Sequence, residues 1–531
     1  MNDQSPALAA RIRERWSAVR GPLFTDMYEL AMAQVYVEAG ISERRARFDY
    51  FFRSNPDYGT HQAGFCVSAG LGPFLDWLGR MHIGADHVES LKTMRSAAGT
   101  AVFHDGFLDW IAASGRFDGI EIHAIGEGRV VHPHEPVVSV TGPLAVCQLL
   151  ETSLLNHFNY PTLIATKAAR IVGAARGGRV LEFGMRRGPA TGVNEGIRAA
   201  LIGGCVATSN VEAAIALGRQ PGGTHAHSLV QAYVALGDGE IGAFRAVAAA
   251  APDDCILLVD TIDTLRSGIP NAITVFDELR SGGHVPLGVR LDSGDLAYLA
   301  VHSAKLLDEA GHTDVSIVLS SDLDEMTIWQ ILTQIGDDAH RAGIDADRIR
   351  QRLIYGVGTR LITSHGAGSL NGVYKLVGIA DERGVWLPAI KISEDPGKVP
   401  LPGRKAVWRL YDNRDTAVAD LIGLVDEVPL ADDVNLVHHA SRDGVTQMIY
   451  RGDIARIEPL HQLVLGDPGH GGGGGGDRER PSLDDLALRC AADVSRLGVG
   501  VRRLVNPHRY HVSITDALYR LRKELIDATT A

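Results

Sequence analysis

From position 180 to 377, short apolar runs alternate with longer stretches in which apolar residues recur at helical spacing. The runs at 180–183, 205–208, 256–260, 287–291, 315–319, 353–357 and 373–379 are bounded by Gly, Asp, Ser or Asn, residues that end strands. Between them, 211–217, 273–279, 296–310 and 327–335 carry the helical period. Strands separated by helices at this spacing predict βαβ units and a parallel sheet, closed into a barrel. Polar residues suited to chemistry stand just after these runs: Arg186 and Arg187, Ser209 and Asn210, Asp292 and Asp295, Ser321 and Asp322, and Thr359. Barrel active sites lie at that C-terminal face of the strands.

The flanks read differently. Strand patterns at 48–52, 121–125, 129–131 and 137–140, with helical ones at 28–39 and 71–78, predict an α+β domain over 1–150. The barrel domain is expected over 151–410, and a C-terminal extension over 411–531 that packs partly on the N-terminal domain. Within the extension the six glycines Gly471–Gly476 predict a flexible linker at 469–476, because glycine loses most entropy on ordering. Charge narrows the partners. A formal net charge of −12 excludes a general nucleic-acid binder, though not small phosphate substrates, which need only a few local cations and N–H groups. Five scattered cysteines without a CxxC pair predict reduced thiols in a cytoplasmic protein and no zinc site. No apolar run approaches the ~20 residues needed to span a bilayer.

Several segments admit both a bland and a chemical reading. Gly223-Thr224-His225-Ala226-His227-Ser228 is either a loop with surface imidazoles or a nucleophile segment. In the second case one imidazole takes a phosphoryl group from ATP and neighbouring N–H groups hold the phosphate. Arg186 and Arg187 are either solvated or a bidentate clamp for phosphate or carboxylate. In Gly288-Val289-Arg290-Leu291-Asp292-Ser293-Gly294-Asp295, Ser293 or Asp295 could merely cap the next helix. Alternatively Arg290 pairs with a substrate carboxylate, while Asp292 and Asp295 face ribose hydroxyls or a Mg²⁺ on pyrophosphate. Gly356-Val357-Gly358-Thr359 is a tight turn or a 5′-phosphate loop. The apolar run ending in Asp260, with Asp263 and Thr264 beyond, resembles the phosphoribosyl motif of Rossmann-like transferases. Thr261 stands where the second acid would be, so that motif is not assigned.

Taken in order, these segments resemble the nicotinate phosphoribosyltransferase family. The matching stretches are Thr25-Asp26-Met27-Tyr28-Glu29-Leu30, 64–71, Leu181-Glu182-Phe183-Gly184 with Arg186-Arg187, 207–210, 223–228, 289–295, 356–359 and 372–376. The resemblance implies an α/β fold: an irregular (β/α) barrel of the type II phosphoribosyltransferase kind, joined to an α+β domain formed from both chain ends. It implies formation of nicotinate mononucleotide and pyrophosphate from nicotinate and phosphoribosyl pyrophosphate, with ATP as co-substrate and Mg²⁺ as cofactor. It also implies a homodimer with shared active sites. His227 falls on the family's phosphorylated histidine and His225 on a variable position. Tyr28, Thr224 and Arg290 fall on nicotinate-contacting positions. Thr359, with Gly358, falls on a phosphoribosyl-phosphate position, and Arg186, Arg187, Asp292, Asp295 and Ser321 are further site residues. Gly188-Pro189 and the C-terminal section depart from the family pattern. The alternatives are transfer to nicotinamide, a quinolinate enzyme, a sugar-phosphate aldolase or isomerase, and a non-enzymatic ligand-binding homologue.

Overall fold

The computed structural model of the chain describes residues 20–394, 398–466 and 480–530. The glycine tract Gly471–Gly476, with the whole of the expected linker at 469–476, lies outside the described residues.

The central element is a sheet of six strands, all parallel: Arg179–Glu182, Ala207–Thr208, Ile256–Leu258, Gly288–Leu291, Ser316–Ser320 and Leu353–Val357. One face of the sheet is apolar in register: Leu257, Val289, Leu291, Ile317, Leu319 and Val357 share it and are fully buried. The strands take their chain order around a ring, with Leu353–Val357 returning to pair beside Arg179–Glu182. One step of the ring has no ladder, the one between Ala207–Thr208 and Ile256–Leu258. The segment 222–227 crosses it. Gly222 donates its N–H to the Thr208 carbonyl at 2.8 Å, and Leu258 donates its N–H to His225 Nε2 at 3.0 Å. The irregular barrel predicted from the sequence is therefore fastened at one seam by the histidine segment.

One apolar run departs from expectation. Residues 373–379, read above as a barrel strand, form Gly372–Ala380, which pairs antiparallel with Arg45–Phe52. Alternation predicts a strand but not its neighbour, and here the neighbour is the N-terminal sheet. That sheet is antiparallel throughout, in the order Trp386–Pro388, Gly372–Ala380, Arg45–Phe52, Val138–Pro143, Glu121–Ile125, His461–Leu465. It buries Phe48, Tyr50, Phe52, Ile122, Val138 and Val140 against helices that include Met27–Glu38 and Leu71–Arg80.

The chain beyond 411 is more ordered than its composition suggests. Lys405–Tyr411, Ala417–Leu424, Val434–His439, Thr446–Tyr450, Arg456–Pro459 and His511–Thr515 make a third six-stranded sheet. Val407, Ile422, Val512, Ile514 and Leu518 from this region share one core with the N-terminal domain. Both chain ends thus build the α+β part. The 24-residue helix Glu151–Ala174 leads from it into the barrel and packs on the helix Val193–Ile202. Among the described residues, no helix is long and apolar enough to cross a membrane. All five cysteines are buried and unpaired.

Candidate active site

Register explains why the polar cluster gathers at the strand ends. Leu258 and Val318 flank Arg290 in the parallel ladders. Side chains alternate with period two, so Asp260, Asp292 and Ser320, each two residues further on, arrive at one level of the barrel mouth. Arg290 holds the group together. Its Nε donates to Ser320 Oγ at 2.9 Å, Nη1 to Thr224 Oγ1 at 3.0 Å and Nη2 to Asp292 Oδ1 at 2.8 Å. A guanidinium has five N–H donors, so one N–H on each terminal nitrogen remains, the fork that grips a carboxylate. The half-buried Phe183 ring lies 5.8 Å from the guanidinium carbon and gives the fork an apolar wall.

Asp292 also accepts from Ser320 Oγ at 2.5 Å, and its N–H donates to Asp260 Oδ2 at 3.0 Å. Burial by itself would raise the Asp292 carboxyl. The hydrogen bonds from Ser320 and Arg290, with the charges of Arg290 and His227, outweigh it and hold the group below its usual value. Asp292 is therefore an anion at neutral pH. Asp260 accepts a second bond from Ser293 Oγ at 2.6 Å, while its Oδ1 is buried with no hydrogen-bond partner.

His227 sits between these two acids. It opens the helix His227–Leu236, where N–H groups without intrahelical partners favour a negative charge. Its Nδ1 lies 3.1 Å from Thr261 Oγ1 and 3.9 Å from Asp260 Oδ1, and its Nε2 lies 3.6 Å from Asp292 Oδ2. The ring is 37% exposed, open to a substrate. His225 faces the other way: by accepting the Leu258 N–H at Nε2 it must carry its proton on Nδ1. Burial, first, and nearby positive charge push its pKa down, so it stays neutral.

The other expected residues spread around this cluster. Asp295 caps the helix Leu296–Glu309 by accepting the Tyr298 N–H at 3.1 Å, and both its oxygens accept from Gln334 Nε2 at 3.0 Å. Its geometry is that of the bland reading, a helix cap. Ser321 and Asp322 follow their strand with φ of +104° and +42°, conformations that cost energy without glycine and cluster at functional sites. Thr359 is exposed and opens the short helix Thr359–Ile362, with Gly358 before it against the Phe183 carbonyl. Arg186 and Arg187 are exposed on a helical turn at Met185–Arg187, with no side-chain partner among the described residues. Tyr28 stands on the helix Met27–Glu38 of the α+β domain, 47% exposed. Burial and the nearby Glu151, Glu29 and Asp26 raise its hydroxyl pKa. Among the described residues no hydrogen bond or ion pair joins it to the Arg290 cluster.

The sequence reading set Asp260 and Thr261 aside and gave no role to Ser320, Phe183 or Arg360, whose Nη1 bonds Asp324 Oδ2 at 2.7 Å beside the Ser321 turn. Strand register could have found the first and third: Asp260 and Ser320 stand level with Asp292.

Models of three nicotinate phosphoribosyltransferase segments match the chain: the N-terminal domain over residues 23–159, the family proper over 179–399 and the C-terminal domain over 404–522. The chain is 38% identical over 498 residues to the nicotinate phosphoribosyltransferase of Bacillus subtilis, covering 93% of each chain. It is 30% identical over 561 residues to the enzyme of that name from Homo sapiens, covering 95% of this chain and 96% of the relative. The crystal structure of human nicotinic acid phosphoribosyltransferase superposes with a TM-score of 0.75 at 28% identity, covering 94% of this chain and 99% of that one. A nicotinate-nucleotide pyrophosphorylase from Pyrococcus furiosus, at 20% identity and a TM-score of 0.62, shares the fold. Together with the seamed barrel and the cluster at its mouth, these matches along nearly the whole chain mean that it belongs to the nicotinate phosphoribosyltransferase family.

Proposed function

We propose that this chain transfers the phosphoribosyl group of phosphoribosyl pyrophosphate to nicotinate, forming nicotinate mononucleotide and pyrophosphate, with ATP consumed through a phosphorylated His227. The observation that carries the reading is the Arg290 guanidinium, with three of its five N–H donors bonded and two left over, beside His227 and Asp292. A nicotinate carboxylate fits the two remaining N–H donors, and the Phe183 ring offers its face to the pyridine. A neutral nicotinamide would give that fork no anion. Quinolinate would bring a second carboxylate, for which the cluster holds no second arginine fork. A lysine-dependent aldolase finds no support, because Lys375 pairs with Glu151 and the Tyr374 carbonyl in the α+β domain.

In this reading the Thr261 hydroxyl accepts the Nδ1 proton of His227, leaving Nε2 as the nucleophile. Nε2 attacks the γ-phosphorus of ATP, the P–O bond to ADP breaks, and the new phosphate rests at the helix N-terminus. Nicotinate nitrogen then attacks C1 of the ribose as pyrophosphate leaves, and the ionised Asp292 stabilises the positive charge on the ring. Thr359 and the Gly358 turn, with Arg186 and Arg187, bind phosphate groups; Ser321 supports the ribose side. Hydrolysis of the N–P bond resets the enzyme.

Magnesium fits the donors present. The unpartnered buried Asp260 Oδ1 and the Asp292 carboxylate flank His227. Among the described residues no group of three or more His, Cys, Asp or Glu could hold a metal ion; a cation here would rest on one or two carboxylates plus substrate phosphates. Held by Asp260 and Asp292, such a cation would neutralise charge on the pyrophosphate.

The single chain leaves Tyr28 away from the cluster and leaves Met27, Tyr28, Met32 and Val35 of its helix exposed. A second copy packed on this face covers it and brings the partner subunit's Tyr28 to the nicotinate.

The test uses labelled nicotinate, phosphoribosyl pyrophosphate and Mg²⁺, with and without ATP. Wild type forms nicotinate mononucleotide faster with ATP. His227→Asn retains a slow transfer that ATP no longer stimulates, whereas full ATP acceleration of the variant would refute the phosphohistidine.

A further inference from the structure

On the flank of the barrel a cavity of about 510 Å³ opens where the helices Glu151–Ala174 and Glu325–Ala342 meet the segment 494–505. That volume falls within the roughly 300–1,000 Å³ of small-molecule sites. None of the mouth residues lines it. Arg170, Arg176, Arg502 and Arg503 do, with no acidic side chain among its lining residues, in a chain of net charge −12. Arg170 is buried and fixed: Nε bonds Glu325 Oε1 and Nη2 bonds the Leu504 carbonyl, both at 3.1 Å. Arg176, Arg502 and Arg503 are exposed, and their side chains make no hydrogen bond or ion pair among the described residues. Three exposed guanidinium groups thus border one hollow with no lining acid to pair them, a local positive field that favours an anion. Beside them the Trp329 indole stays 41% exposed and Val499 73% exposed, apolar surface that an aromatic ring would cover.

We propose that this cavity is a second ligand site, for a phosphorylated aromatic molecule of the mononucleotide class, with the phosphate on Arg176, Arg502 and Arg503 and the ring against Trp329. The inference does not depend on the chemistry proposed for the mouth, because its decisive readout is binding rather than turnover.

Adenosine 5′-monophosphate is the probe, titrated into the full chain by equilibrium dialysis and by tryptophan emission. We expect saturable binding that Arg502→Ala/Arg503→Ala weakens at least tenfold. Arg290→Ala, which disables the mouth, leaves this binding within twofold. Trp329→Phe removes the emission change, and adenosine binds at least tenfold more weakly than the nucleotide. No binding, or binding lost with Arg290→Ala and kept by the double variant, overturns the proposal. A change in sedimentation of Arg502→Ala/Arg503→Ala also overturns it, by marking the cavity as a contact between subunits.

Discussion

Two arginine–carboxylate clusters in this molecule use the same residue types for opposite ends. At the junction of the α+β domain and the C-terminal sheet, Arg409 is 1% exposed and bonds both oxygens of Asp420, one of Asp493 and the Val130 carbonyl. Arg129 joins through Asp493 and Glu458, and Tyr510 donates to Asp420. Nearby, burial and the Asp420 charge hold Glu135 well above the usual carboxylic range, so it is the protonated member of that pair. Arg290 at the mouth is 14% exposed, Asp292 29% and His227 37%, with donors and one buried acceptor still free. The identity of the residues does not separate a tie from a site. What does is whether the polar groups are consumed by one another in a dry interior or left in part for an incoming molecule.

Variants should split the two. Arg409→Ala strands Asp420 in the interior without its cation, while Arg129 still holds Asp493, and should cost about 3–5 kcal/mol of folding stability, read by chemical denaturation; a loss under about 1 kcal/mol would dissolve the contrast. Arg290→Ala should leave folding nearly unchanged but lower kcat/KM for nicotinate by ~2–4 kcal/mol, roughly thirty- to thousandfold. Arg290→Lys should recover little, since an ammonium lacks the fork.

Between the extremes, His225→Ala leaves the Leu258 N–H without its partner and should cost about 1–3 kcal/mol. Its pKa is depressed in the fold, so the unfolded chain binds the extra proton first. The stability His225 contributes is thus present above about pH 6.5 and lost as pH falls toward the folded value. His225→Gln should flatten that acid limb, as followed by thermal melts from pH 5 to 8. Smallest is Asp295→Ala, a lost helix cap of about 1 kcal/mol with kcat within twofold of wild type. A tenfold fall in kcat would return Asp295 to the catalytic group.

The barrel was legible because buried parallel strands leave dense apolar runs, each ended by the residues that carry chemistry. The strand Leu353–Val357 matches its sequence reading end to end. Gly372–Ala380 was legible as a strand but not as a member of the α+β sheet, because its partner lies more than three hundred residues away, as in the pairing of Phe52 with Gly372. The C-terminal sheet was hardest. Val434–His439 and Thr446–Tyr450 are short and partly exposed, so little hydrophobic contrast marks them. At the mouth, Arg290, Asp292 and His227 were visible as motifs. Asp260 was set aside for lacking a second acid at Thr261, yet Thr261 itself meets His227 Nδ1. A linear motif tests adjacency along the chain, whereas the mouth is assembled across it.

The unladdered step of the barrel works as a clasp. One short peptide fastens the hoop through His225 and, two residues on, presents the ring that would be charged. Strain from a group added at position 227 would thus be delivered to the joint that five continuous ladders do not guard. Amide exchange at Leu258 would sense the occupancy of His227 without any substrate turning over.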